Sequence, residues 1–266
     1  MRLAGAPISW GVCEVPGWGH QLEPERVLSE MRELGLTATE LGPEGFLTPE
    51  LIAAHGLSLA GAFVPVVLHR DDPLPELPAE GNIVLAAATG ADGYDERPAL
   101  DERDWARLLA SLDAIAAEHG PRVSLHPHVG TMIETRDEVD RVLDGSSIPL
   151  CLDTGHLLIG GTDPAALARA VPSRIAHVHL KDVDAEIAGR VARGELTYIQ
   201  AVREGVYRPL GQGDVDIAGI VTGLEKNGYA GWYVMEQDVI LSGPDERPVE
   251  NVRRSLAYLD GVLGLG

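Results

Sequence analysis

Five stretches of this chain close apolar runs with side chains able to bind a metal ion or move a proton. They are Thr39-Glu40-Leu41-Gly42, His126-Pro127-His128 with Gly130 and Glu134 beyond it, Asp153-Thr154-Gly155-His156, His177-Val178-His179-Leu180-Lys181-Asp182, and Glu236-Gln237-Asp238. Each alone has an ordinary use. A strand histidine is more often a hydrogen-bonded core residue than a ligand, Asp-Thr-Gly is a common turn or helix cap, and a Glu at a strand end commonly forms an ion pair. Together they demand more, because carboxylates and imidazoles gathered in one place repel or stay unsatisfied unless a cation holds them. A divalent metal with oxygen and nitrogen ligands does this, and the mixture of Asp, Glu and His suits Mn²⁺ or Co²⁺ first, with Mg²⁺ and Zn²⁺ as alternatives.

The elements that would position these groups can be read from the apolar pattern. Strand-like runs cover residues 3–10, 37–41, 57–68, 83–89, 122–128, 148–153, 175–181 and 232–237. Several are apolar on both faces, as Ile148-Pro149-Leu150-Cys151-Leu152 shows, which fits parallel strands covered on both sides. Helical patterns occupy 24–34, 101–119, 135–143, 163–170, 216–227 and 248–263, and Thr48-Pro49-Glu50 reads as a further helix start. Eight strands alternating with helices predict a single α/β domain over residues 1–266, a (β/α)₈ barrel. A doubly wound sheet is the competitor, but no Gly-x-Gly-x-x-Gly follows the first strand. The proline-rich connection 70–81 is too short for a full helix, so the third helix is expected to be truncated or missing. Active sites of such barrels lie at the C-terminal strand ends, where the five stretches fall. Side-chain alternation places His177, His179 and Lys181 on one face, Cys151 and Asp153 on one, and Trp232, Val234 and Glu236 on one.

Composition narrows the partners. The 266 residues carry 21 Lys plus Arg against 41 Asp plus Glu, a net charge of −20 that opposes binding to nucleic acid or an anionic membrane. No run approaches the ~18–20 apolar residues that span a bilayer. The two cysteines, Cys13 and Cys151, make no disulfide framework, and a cytoplasmic location is expected. A homo-oligomer is compatible with the sequence. The acidic balance, with no phosphate-cradling loop, points to a small neutral polyol or keto-sugar rather than a sugar phosphate.

These stretches, together with Pro7-Ile8-Ser9-Trp10-Gly11, Gly205-Val206-Tyr207 and Leu210-Gly211-Gln212-Gly213-Asp214-Val215-Asp216, resemble the xylose-isomerase-like barrel superfamily of sugar isomerases, epimerases and dehydratases. Within it they are most similar to the inosose dehydratases of inositol catabolism. The resemblance implies Asp153 and Glu236 as carboxylate ligands and His179 as the imidazole ligand of a divalent metal. Where the epimerase pattern has a fourth carboxylate, this chain has His126; Glu134, eight residues on, competes for that position and is assigned it here.

The activity so implied is removal of water from a keto-inositol or similar polyhydroxylated ketone through an enolate. A carboxylate such as Glu236, or Lys181, would serve as base, and His156 or His128 as acid. Trp10 would wall the ring, and Glu40 and His126 would meet substrate hydroxyls. The nearest alternative is a metal-dependent isomerase or epimerase; a non-enzymatic sugar-binding barrel and a hydrolase of abasic DNA are more distant.

Overall fold

A computed structural model describes residues 1–91 and 93–264. Eight parallel strands close a barrel in the order β1 (Arg2–Gly5), β2 (Ala38–Glu40), β3 (Ser58–Val66), β4 (Asn82–Ala87), β5 (Val123–Leu125), β6 (Leu150–Asp153), β7 (Ile175–Leu180) and β10 (Trp232–Met235), with β10 returning to β1. A two-stranded antiparallel ribbon, β8 (Asp182–Val183) with β9 (Tyr207–Arg208), stands outside the barrel.

Helices pack around the strands: α1 (Pro24–Glu33), α2 (Pro49–Ala54), α3 (Glu102–His119), α4 (Arg136–Gly145), α5 (Thr154–Ile159), α6 (Pro164–Ala170), α7 (Ala185–Ala192), α8 (Tyr198–Arg203), α9 (Ile217–Lys226) and α10 (Val249–Leu263). Their apolar stripes explain the packing. α3 buries Trp105, Leu108, Leu112 and Ile115 at spacings of three and four, and Asp101 caps its first turn by accepting from Arg103 and Asp104 N–H. The connection 67–81 between β3 and β4 carries no helix.

Small residues pack part of the barrel interior. Ala4, Ala6, Ala38 and Ala60 meet Val234 in one buried cluster, with Trp232 packed against it and the Arg2 guanidinium 3.8 Å from the Trp232 ring centre. Small residues on β1, β2 and β3 leave room for the large polar side chains that β7 sends inward above them.

Several elements are shorter than the apolar runs that announce them. The first strand stops at Gly5, and Pro7–Trp10 forms a 3₁₀ turn, since Pro7 has no N–H for the ladder. β5 stops at Leu125, leaving His126-Pro127-His128 in the loop above the barrel. α5, α7 and α8 are too short, at six to eight residues, to show a helical period in sequence. Among the described residues no helix is long and apolar enough to cross a membrane.

Candidate active site

Strand ends gather Glu40, His126, Asp153, His179 and Glu236 at one mouth of the barrel. His179 Nδ1 lies 3.1 Å from His126 Nε2, 3.3 Å from Asp153 Oδ2 and 3.2 Å from Glu236 Oε2, and His126 Nε2 lies 3.2 Å from Asp153 Oδ2. Ligand atoms held at the ~2.0–2.2 Å typical of a shared divalent ion stand roughly 3.0–3.5 Å apart, the range of these four separations, and the Asp153, His179 and Glu236 ligand atoms all lie within 4.8 Å of one another. Two imidazoles and two carboxylates also form a charge-balanced donor set for it. The second nitrogen of His126, Nδ1, is buried without a partner.

Asp153 is held from both sides. Its Oδ1 accepts from Gly155 and His156 N–H at 2.9 and 2.8 Å, capping α5, and this turns Oδ2 toward the cluster. Burial alone would raise its pKa, but Lys181, then His156 and the His126 and His179 hydrogen bonds, hold it well below the ordinary carboxylate range.

Glu134 does not join this group. The 128–134 segment closes on itself, with His128 N–H donating to the Ile133 carbonyl at 2.9 Å and Gly130 N–H donating to Glu134 Oε2 at 2.7 Å. The Glu134 carboxylate therefore faces its own loop and Arg97, whose Nε lies 3.3 Å away, and it is His126 Nε2 that stands beside His179 and Asp153. Trp10 is also elsewhere: beyond the end of β1 its indole turns to α1, donates to Glu30 Oε2 at 2.8 Å and borders no part of the cavity. Trp18 takes the wall position, anchored by its indole N–H to the Val239 carbonyl at 2.9 Å.

Beside the cluster lies a second group centred on Lys181. Its Nζ is 2.6 Å from Asp238 Oδ1, 2.8 Å from Glu236 Oε2 and 3.3 Å from His156 Nε2. Burial would lower the Lys181 pKa, but Asp238, Glu236 and Asp153 outweigh it and hold the ammonium charged. An ammonium so held has a proton to give and no lone pair to take one. Asp238 is itself pinned, accepting from Tyr198 Oη at 2.5 Å, while Tyr198 and Tyr207 hydroxyls are 2.9 Å apart. Burial raises the Asp238 carboxyl against the pull of Lys181.

His128 and His156 stack with ring centres 3.6 Å apart. Burial, then His126 and Lys181, pushes His128 down to about 3; burial, then His128 and Lys181, pushes His156 well below its ordinary value, so both environments favour the neutral ring. Neither begins as the proton donor expected of it. His128 Nδ1 donates to the Val129 carbonyl at 2.7 Å, which leaves the lone pair on Nε2. His128 borders the cavity, whereas His156 lies behind it.

The cavity above these groups measures about 680 Å³ and is walled by Trp18, Phe63 and Tyr94, with Glu14, Glu44 and Glu76 around it. Lys181 is the one Lys or Arg side chain lining it among the described residues. Tyr94, whose hydroxyl donates to Glu14 Oε1 at 2.9 Å, and Tyr198 escape sequence reading. The first sits in a loop without periodicity, and the second in the short α8; only their polar-tipped aromatic type could have marked them.

A family model for the xylose isomerase-like TIM barrel matches residues 80–261. The chain belongs to this family. Among curated relatives, an inosose dehydratase of Geobacillus thermodenitrificans (strain NG80-2) is 31% identical, over 92% of this chain and 93% of its own length. The rhizopine catabolism protein MocC of Rhizobium meliloti is 33% identical, over 90% of this chain and 82% of its own. Solved structures share the fold. An L-ribulose 3-epimerase superposes with a TM-score of 0.66 at 16% identity, covering 99% of this chain and 95% of its own. The IOLI protein, whose structure holds a zinc atom, gives 0.66 at 13% identity, covering 99% and 98%.

Proposed function

We propose that this protein is a metal-dependent hydro-lyase that removes water from a keto-inositol or a closely similar polyhydroxylated ketone. The observation that carries the reading is the pairing of unlike proton carriers at one cavity: a neutral His128 with its Nε2 lone pair free, and a charged Lys181 beside the carboxylate-imidazole cluster. An epimerisation through two carboxylate bases would need a second carboxylate where this chain has His126. The inosose dehydratase relative, aligned over nearly its whole length, supplies the substrate class.

Asp153, His179, Glu236 and His126 would hold the ion, with Mn²⁺, Co²⁺ and Zn²⁺ suiting two imidazoles better than Mg²⁺. When bound, the ion supplies Lewis acidity toward a carbonyl and an adjoining hydroxyl oxygen. His128 Nε2 takes the proton from the carbon next to the carbonyl. Lys181 Nζ gives a proton to the hydroxyl leaving the neighbouring carbon, so that one C–H and one C–O bond break and one water departs. Asp238 and Glu236 keep Lys181 charged and aimed, and His156 fixes the His128 ring by stacking. Both carriers return to their starting states by exchange with water. Glu40 and the polar wall offer acceptors to hydroxyls, while the aromatic side covers the C–H face of a ring. The lining carboxylates oppose phosphorylated substrates.

Incubation of the metal-supplemented protein with inososes in D₂O, followed by mass spectrometry and ultraviolet absorption, tests this. A product lighter by one water with a new conjugated-carbonyl absorption is expected. An epimer of unchanged composition carrying solvent deuterium would replace dehydration with epimerisation.

A further inference from the structure

Beside the metal cluster the barrel interior holds three polar side chains: Glu40 on β2, which also borders the cavity, His177 on β7 and Asn82 at the start of β4. Glu40 and His177 are buried and Asn82 is half-buried. They form a connected line. The Asn82 side-chain amide donates to His177 Nδ1 at 2.9 Å, so the His177 hydrogen resides on Nε2, which donates to Glu40 Oε1 at 2.7 Å. The same carboxylate oxygen is 3.1 Å from His179 Nε2. Gly61 makes space for the line: a Cβ there would stand 2.8 Å from the Asn82 carbonyl oxygen and 3.4 Å from Glu40 Oε1.

A buried charge that serves only stability is a poor choice for a barrel floor, since its desolvation often exceeds what the pairing returns. The line acquires a purpose from its end point. His179 has two nitrogens with different surroundings: Nδ1 meets His126, Asp153 and Glu236, and Nε2 meets the Glu40 carboxylate, with the Cys151 thiol also close to the ring. A carboxylate at Nε2 requires the hydrogen there, which leaves the lone pair on Nδ1.

We infer that Glu40, locked in place by His177 and Asn82, is a positioning residue that fixes the tautomer and ring orientation of His179 for metal binding. The inference rests on the reading of His179 as a ligand. Partners of this kind orient ligating imidazoles and raise their basicity, and their loss commonly weakens metal binding by about 10–100-fold.

Zn²⁺ affinity, measured by chelator competition on the metal-stripped full chain, reads the effect. Glu40→Gln keeps an acceptor oxygen without the charge and is expected to bind about tenfold more weakly; Glu40→Leu, with no acceptor, about 100-fold more weakly. His179→Ala is the control. If it keeps full affinity, the ligand assignment fails; if it loses affinity while folded Glu40→Gln and Glu40→Leu bind as the parent does, the inference alone fails. Should the Glu40 variants not fold, the ¹⁵N shifts of the histidine rings in the Zn²⁺-loaded parent still decide. A His179 ring protonated at Nε2 is expected, and one protonated at Nδ1 overturns the inference.

Discussion

Substituting the two rivals for the fourth ligand separates the geometry from the sequence pattern. His126→Ala removes a nitrogen that stands 3.1 and 3.2 Å from two other donor atoms of the cluster. Four-ligand zinc sites bind with about 10–16 kcal/mol, so one ligand's even share is about 3 kcal/mol. That corresponds to a loss on the order of 10²-fold in affinity.

Glu134→Gln makes a different change. Arg97 retains Glu138, both of whose carboxylate oxygens lie 2.6 Å from Nη2, and the amide oxygen of Gln can still accept from Gly130 N–H. The lost ion pair is partly exposed and screened, and is worth about 1 kcal/mol at most. Unfolding should shift down by only about 2–4 °C, and metal affinity should stay within about twofold of the parent. Isothermal titration with Zn²⁺ or Co²⁺ on both variants, each checked by circular dichroism, measures the contrast. A loss of about tenfold or more in Glu134→Gln, with parent-like binding in folded His126→Ala, would refute the assignment and return Glu134 to the metal.

Two further substitutions probe the neighbouring groups. Lys181→Met should abolish turnover while metal still binds. It should also lower stability by about 3–5 kcal/mol at neutral pH, because Asp238 and Glu236 lose their buried counter-charge. The sign of its pH dependence follows from Asp238, whose pKa is already raised by burial and would rise further without Lys181. The folded variant then binds more protons than the unfolded chain, so its deficit should shrink as pH falls through that raised pKa and grow as pH rises; denaturant unfolding from pH 5 to 8 reads this, and a deficit independent of pH would contradict it. Asp153→Asn should separate two duties of one side chain: its amide oxygen can still cap α5, keeping the melting temperature of the metal-stripped protein within a few degrees, while metal affinity drops about 10²-fold as for a lost ligand.

The barrel, and the placement of most of the candidate site's side chains at one mouth, were legible because they depend on strand alternation, a local property. Once β6, β7 and β10 are recognised, a period of two places Asp153, His179 and Glu236 at one mouth whatever the helices do. Glu40 follows from β2 in the same way. Trp10 and Glu134 fail for one reason: each lies where the chain has left its strand. Alternation projected through 3–10 would turn Trp10 inward, but Pro7 begins a 3₁₀ turn and the indole finds Glu30 on α1. Glu134 sits at a spacing that could return to the mouth, yet its direction is set by Gly130, four residues before it, and by Arg97, 37 residues before it; no sequence period couples those residues.

Proton roles were the least legible, because residue type gives only the ordinary pKa and the surroundings decide the rest. Lys181 looked available as a base and the histidines as acids. Enclosure reverses both. Three carboxylates around one ammonium favour a charged Lys181, whereas burial, with Lys181 nearby, lowers the His128 pKa. The reversal has a consequence for the reaction direction. An acid that starts protonated and a base that starts with its lone pair free are ready before substrate arrives, and no proton must first be redistributed between them. Sequence placed the carriers at the mouth; in the proposed reaction it is the packing of β7 against β10 and of His156 against His128 that would set which one gives the proton and which one takes it.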